Sequence, residues 1–171
     1  MSSSTVTRRT FVTQAASGLV VVSTPFGLFA PTSPAQPVPK RPDPLAGTMV
    51  NEFVRKAHAD LAGTKALLAE QPGLLNATWD WGGGDFETGL GGAGHMGNRE
   101  IAEFLIGQGA RLDIFVASML GRLDIVKALL TAWPGLLQSK GPHGISLLRH
   151  ARAGGDAAKP VAEYLASLGA A

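Results

Sequence analysis

The chain contains no cysteine. Disulfides, thiolate metal sites and a cysteine nucleophile are therefore excluded, and so is a lipid anchor that needs a cysteine after a cleavage site. Long apolar runs are missing too. None reaches the roughly 18 to 20 residues that a membrane-spanning helix requires, although apolar residues make up 45% of the 171 and can fill a core. A charge excess is likewise lacking: 15 Lys+Arg stand against 13 Asp+Glu, a net of +2. The two signs alternate along the chain, whereas a nucleic-acid binder gathers Lys and Arg on one face to displace counterions. Nucleic acid is therefore not an expected partner. Neither a Gly-Lys-Ser/Thr phosphate loop nor a Gly-x-Ser-x-Gly nucleophile elbow is present.

The N-terminus has a definite order. Arg8-Arg9, with Phe11 two residues on, precede an uncharged, weakly apolar stretch at 15–30, and Ser33-Pro34-Ala35 offers small residues at a cleavage position. This order resembles a twin-arginine export signal. The resemblance implies a signal peptide over residues 1–35, with cleavage near Ala35 or Ala30. It implies delivery to the periplasm or outside the cell, and no membrane insertion after the signal is removed. Without Arg8 and Arg9 the charge signs balance. Residues 36–48 carry four prolines, Pro37, Pro39, Pro42 and Pro44, and are predicted to form an extended linker. The folded domain is expected at 49–171.

From Asn51 onward short amphipathic helical patterns alternate with glycine or proline. Ile101-Ala-Glu-Phe-Leu-Ile, Ile125-Val-Lys-Ala-Leu-Leu and Val161-Ala-Glu-Tyr-Leu-Ala align without gaps, each apolar at its first, second and fifth positions. That is one face of a 3.6-residue period. Gly63-Thr-Lys-Ala-Leu-Leu is a weaker fourth copy, and it runs into Pro72-Gly-Leu-Leu as Ile125 runs into Pro134-Gly-Leu-Leu, an offset of 62 in both cases. Gly97 and Gly121 lie four residues ahead of Ile101 and Ile125, and Gly154-Gly155 holds a similar place before Val161. Each unit is thus predicted to be helix, left-handed glycine turn, helix.

This pattern resembles the ankyrin repeat over residues 51–171. Thr88 and Ser146 keep the hydroxyl of the family's Thr-Pro-Leu-His opening, but the proline is lost and Gly91 and Arg149 replace the histidine. Gly109-Ala110-Arg111-Leu112-Asp113 matches the Gly-Ala-Asp type ending. Trp79-Asp80-Trp81-Gly82 and Gly141-Pro142-His143-Gly144 further resemble segments of short exported bacterial ankyrin proteins. The resemblance implies an all-α solenoid of about four helix-turn-helix units with short or absent β-hairpin fingers, capped by residues 51–65 and 159–171. Second helices are expected from about 63, 101, 125 and 161, in steps of 38, 24 and 36 against a family period of about 33. The short middle step predicts that the third unit lacks a finger; the long first step places the surplus in 79–87.

The resemblance transfers no assigned activity; the function expected is that of a non-catalytic, monomeric scaffold or accessory for an unidentified protein partner. Trp79, Asp80, Trp81, Asp85, Phe86 and Glu87 are the expected anchors, since tryptophans flanked by charge are typical of interfaces. Met119 and Arg122 are expected to reach the notch left by the missing finger. The alternative is a small hydrolase or ligand-binding protein with a pocket near Trp81, Asp85, Glu87 and His95, where two carboxylates and a histidine could do acid–base work. No cofactor is expected. No metal is expected either: His58, His95, His143 and His150 show no His-x-x-x-His or His-x-His spacing, which leaves them capping or surface roles. Gly89-Leu-Gly-Gly-Ala-Gly94 matches a dinucleotide fingerprint only formally, because no buried parallel strand precedes it. It is read as the weakest helix of the array, its glycines costing about 0.8 to 1 kcal/mol each against alanine and serving close packing.

Overall fold

The computed structural model describes residues 42–170. The expected signal peptide at 1–35 and residues 36–41 of the expected linker lie outside the described residues. Eight α-helices follow in chain order: α1 (Gly47–Ala57), α2 (Leu61–Glu70), α3 (Gly89–His95), α4 (Arg99–Gly107), α5 (Ile114–Met119), α6 (Leu123–Ala132), α7 (Leu147–Ala153) and α8 (Lys159–Ser167). Short strands β1 (Thr78–Asp80) and β2 (Phe86–Thr88) pair as an antiparallel hairpin ahead of α3. The chain is therefore mostly helical, as expected. Helix α1 begins at Gly47, inside the expected linker, and with α2 forms a full pair rather than a bare cap.

Local signals explain why the helices start where they do. Asp60, Thr88, Asn98, Asp113 and Ser146 each stand at an N-cap, and each side chain accepts a hydrogen bond from a backbone N–H of the first turn. Such caps satisfy donors that a helix start leaves free. Gly97 and Gly121 adopt φ of 72° and 73° and close α3 and α5. In the third turn it is Gly155, at φ 62°, that is left-handed, while Gly154 stays right-handed.

The odd-numbered helices pack successively, α1 on α3, α3 on α5 and α5 on α7, while α2 packs on α4 and α6 on α8. Two layers result, with apolar residues buried between them. Phe53, Leu74, Leu90, Ile101 and Leu105 fill the first half, and Val126, Leu147, Val161 and Leu165 the second. Even-numbered helices begin at residues 61, 99, 123 and 159, which preserves the steps of 38, 24 and 36. Between α4 and α5 the chain runs through 108–113 without a strand. Before α7 a turn at Pro142–Gly144 is closed by a single antiparallel bridge, Lys140 to Ser146. Two projecting loops therefore flank a unit that has none.

The glycines of α3 let its neighbours come close. A Cβ at Gly89 would lie 2.8 Å from the Phe53 ring of α1, and one at Gly94 would lie 2.9 Å from Val116 of α5. At Gly92 it would lie 2.8 Å from the imidazole of His58.

Candidate functional site

The two projecting loops meet. Asp85, at the base of the first hairpin's turn, accepts the backbone N–H of His143 at 2.8 Å through one carboxylate oxygen and contacts His143 Nδ1 at 2.7 Å through the other. With no finger on the third unit, nothing stands between them. His143 itself sits at φ 58°, left-handed backbone unusual for a side-chain-bearing residue. Such a conformation persists only when its surroundings over-determine it, and the paired contacts to Asp85 do so here.

This clasp gathers four side chains from four parts of the chain. His58 is the C-cap of α1, Glu87 lies on β2, His95 ends α3, and His143 comes from the turn before α7. His95 Nε2 lies 2.9 Å from Glu87 Oε1 and 3.1 Å from His58 Nε2. His58 Nε2 is 3.4 Å from Glu87 Oε2, and His143 Nε2 is 3.5 Å from the same oxygen. Glu87 is fully buried, His95 and His58 are partly buried, and the side chain of His143 is 34% exposed, which leaves the group open to solvent on that side. Glycines make the basin: Gly92 leaves room for the His58 ring, and a Cβ at Gly91 would lie 3.6 Å from Glu87 Cγ and from Pro142.

The outer partners fix the proton positions. His58 Nδ1 lies 2.8 Å from the Val54 carbonyl, and a carbonyl only accepts, so Nδ1 carries a hydrogen and, in the neutral ring, Nε2 keeps its lone pair. The Asp85 carboxylate dictates the same for His143. Trp81 Nε1–H donates to Glu87 Oε2 at 2.8 Å, and the Arg55 guanidinium lies 4.9 Å over the Trp81 ring. His95 Nε2 lies within hydrogen-bonding distance of both Glu87 Oε1, at 2.9 Å, and His58 Nε2, at 3.1 Å, so one N–H there is shared between two neighbours. Burial pushes the Glu87 carboxyl up, but His95, the Trp81 N–H and His58 outweigh it and hold the group below the usual carboxylate range. The His143 backbone N–H, opposed by modest burial and aided by the imidazole, holds Asp85 low as well.

The expected anchor residues divide. Trp79 is half-buried and packs on the core, and Trp81 is half-buried at the edge of the cluster. Asp80 accepts the N–H groups of Gly82 and Gly84 and so shapes the hairpin turn. Phe86 is 60% exposed and free to touch a partner. Two expectations are corrected. Glu87 is fully buried and cannot serve as a surface anchor, because strand alternation turns it inward beside Trp79 while Phe86 turns outward. Met119 is also fully buried. It and the exposed Arg122 lie at the C-terminal end of α5, whereas the notch opens at the N-terminal end, near Asp113 and Phe115. Of the capping and surface roles expected for the histidines, His58 does cap α1 and His143 is exposed, but both also converge with His95, and His150 is buried. His150 is buried on α7, and desolvation, only partly offset by its contact with the Ser146 carbonyl, lowers its pKa.

The notch is a cleft of about 310 Å3 between the two clasped loops. Phe86 and Gly84 form one wall, Lys140 and Pro142 the other, and Asp113 and Phe115 the floor. Among the described residues no helix is long and apolar enough to cross a membrane. No family model, curated protein or solved structure matches this chain.

Proposed function

We propose that this chain is an exported, ankyrin-like repeat solenoid that recognises a protein partner and acts as a non-catalytic, monomeric scaffold in the periplasm or outside the cell. The observation that carries this reading is the cleft over the third unit, with Phe86 60% exposed at its rim. Successive helix pairs stacked in two layers, left-handed glycine turns and capped first helices all agree with the repeat family. An aromatic at the edge of a rigid concave notch is the kind of group that concentrates binding energy.

Affinity capture from periplasmic extract, with the full chain and with Phe86→Ala as baits, tests the reading. Phe86 makes no buried packing, so the substitution is expected to leave stability within about 0.5 kcal/mol. It is also expected to weaken retention of the specific partner by roughly 30-fold or more, as for an anchor worth about 2 kcal/mol. A partner retained equally by both baits, or no partner at all, contradicts the proposal. A second reading, a small ligand-binding or hydrolytic protein, draws support from the convergence of Trp81, Asp85, Glu87 and His95.

A further inference from the structure

Three imidazoles and a buried carboxylate meet with ligand atoms all within 4.8 Å of one another. A tetrahedral ion with metal–ligand bonds of about 2.0 to 2.1 Å has ligand atoms about 3.3 Å apart along each edge. Four separations, one to Glu87 Oε1, two to Glu87 Oε2 and one between His95 and His58, run from 2.9 to 3.5 Å, and the full set lies within 4.8 Å, so side-chain adjustment has to draw the four onto one ion. The donor set is His3Glu, neutral imidazoles and one carboxylate, which suits borderline divalent ions better than calcium or magnesium.

The proton inventory points the same way. His58 Nε2, His143 Nε2 and both Glu87 oxygens are acceptors. With the rings neutral, the donors facing them among the described residues are the Trp81 Nε1–H and at most one N–H of His95. In that state acceptors outnumber donors around a buried carboxylate, and one His95 N–H is shared between Glu87 Oε1 and His58 Nε2. A cation at the centre is met by His58 Nε2, His143 Nε2 and Glu87, and by His95 Nε2 once that ring's hydrogen moves to Nδ1. The surroundings also match what a metal-binding histidine needs: the outer nitrogen of His58 is held by a backbone carbonyl and that of His143 by a carboxylate, which fixes tautomer and ring orientation. His143, the most exposed ligand, lies on the side from which an ion can enter.

We propose that His58, Glu87, His95 and His143 bind one divalent first-row transition-metal ion, with Asp85 as a positioning residue for His143. The site is independent of the partner-recognition reading. It ties the first, second and fourth units together across the third, so ion binding stiffens the clasp beside the cleft.

The test uses the untagged full chain, stripped with chelator, and titrates it with Zn2+ by calorimetry and with Co2+ by absorption. One ion per chain is expected, with the intense visible bands of four-coordinate Co2+ and a rise in Tm. Glu87→Gln, which keeps an acceptor for Trp81, is expected to weaken Zn2+ binding by about 100-fold or more. His143→Asn, which tolerates left-handed backbone, is expected to weaken it by about 10- to 100-fold, in the range seen when metal sites lose a supporting group. If Glu87→Gln fails to fold, His143→Asn and the wild-type Co2+ spectrum still decide. Absence of stoichiometric binding of either ion, or binding that both variants leave unchanged, overturns the proposal.

Discussion

Gly121→Ala is expected to destabilise the chain by about 3 kcal/mol, and urea unfolding is the measurement that checks it. Two effects add. Gly121 sits at φ 73°, where a side chain costs about 1 to 2 kcal/mol. Its Cβ would also collide with the Ala157 carbonyl oxygen and come within 3.2 Å of Ala158 Cα. These are backbone atoms of the turn that leads into α8 and cannot rotate away, so overpacking of about 1 to 3 kcal/mol follows. Gly107→Ala is the control. It lies in α4 with nothing within 4 Å of the added Cβ, so it should be neutral or stabilise by about 0.5 kcal/mol. Equal effects at the two positions would mean that the third and fourth units do not approach as closely as described.

The second large effect is expected at Glu87. Glu87→Ala removes the acceptor of the Trp81 N–H and the charge facing His58 and His95 from a fully buried position. Breaking such a buried network costs about 3 to 5 kcal/mol. Glu87→Gln keeps an oxygen for Trp81 and most of the volume, so it should cost less, about 1 to 2 kcal/mol. Calorimetric melts in chelator check the order, wild type above Gln above Ala. If Glu87→Ala matched the wild type, the carboxylate would not be holding the cluster together.

Much of the scaffold was legible in sequence because it rests on local physics. Apolar residues on one helical face, a capping hydroxyl or carboxylate, and a left-handed glycine are all read within a dozen residues. The uneven steps located the hairpin before α3 and the bare connection before α5. Half of the site was legible as well. Asp85, Glu87 and His95 lie on or beside one hairpin, so their proximity could be suspected from the chain. His58 and His143 could not be added, because metal-ligand spacing rules look for ligands on one turn or one strand. Here every ligand belongs to a different element, and only tertiary contact unites them. The signal that could have found them was the short middle step itself: a missing finger lets its neighbours touch. The glycines of α3 were likewise read as a cost to the helix, when they are also the space in which the His58 ring lies. Met119 was misplaced because an apolar residue near a notch in sequence can face either layer, and burial chose the core.

The central claim is that the loops of the second and fourth units clasp across the third and bring His143 to Trp81 and His95. Ring-proton nuclear Overhauser effects in the full chain test it most directly. The His143 ring centroid lies 5.8 Å from that of Trp81 and 5.3 Å from that of His95. Cross-peaks from His143 ring protons to both rings, lost in Asp85→Ala, are the expected result. His143 cross-peaks confined to its own loop, with none to Trp81 or His95, would contradict it.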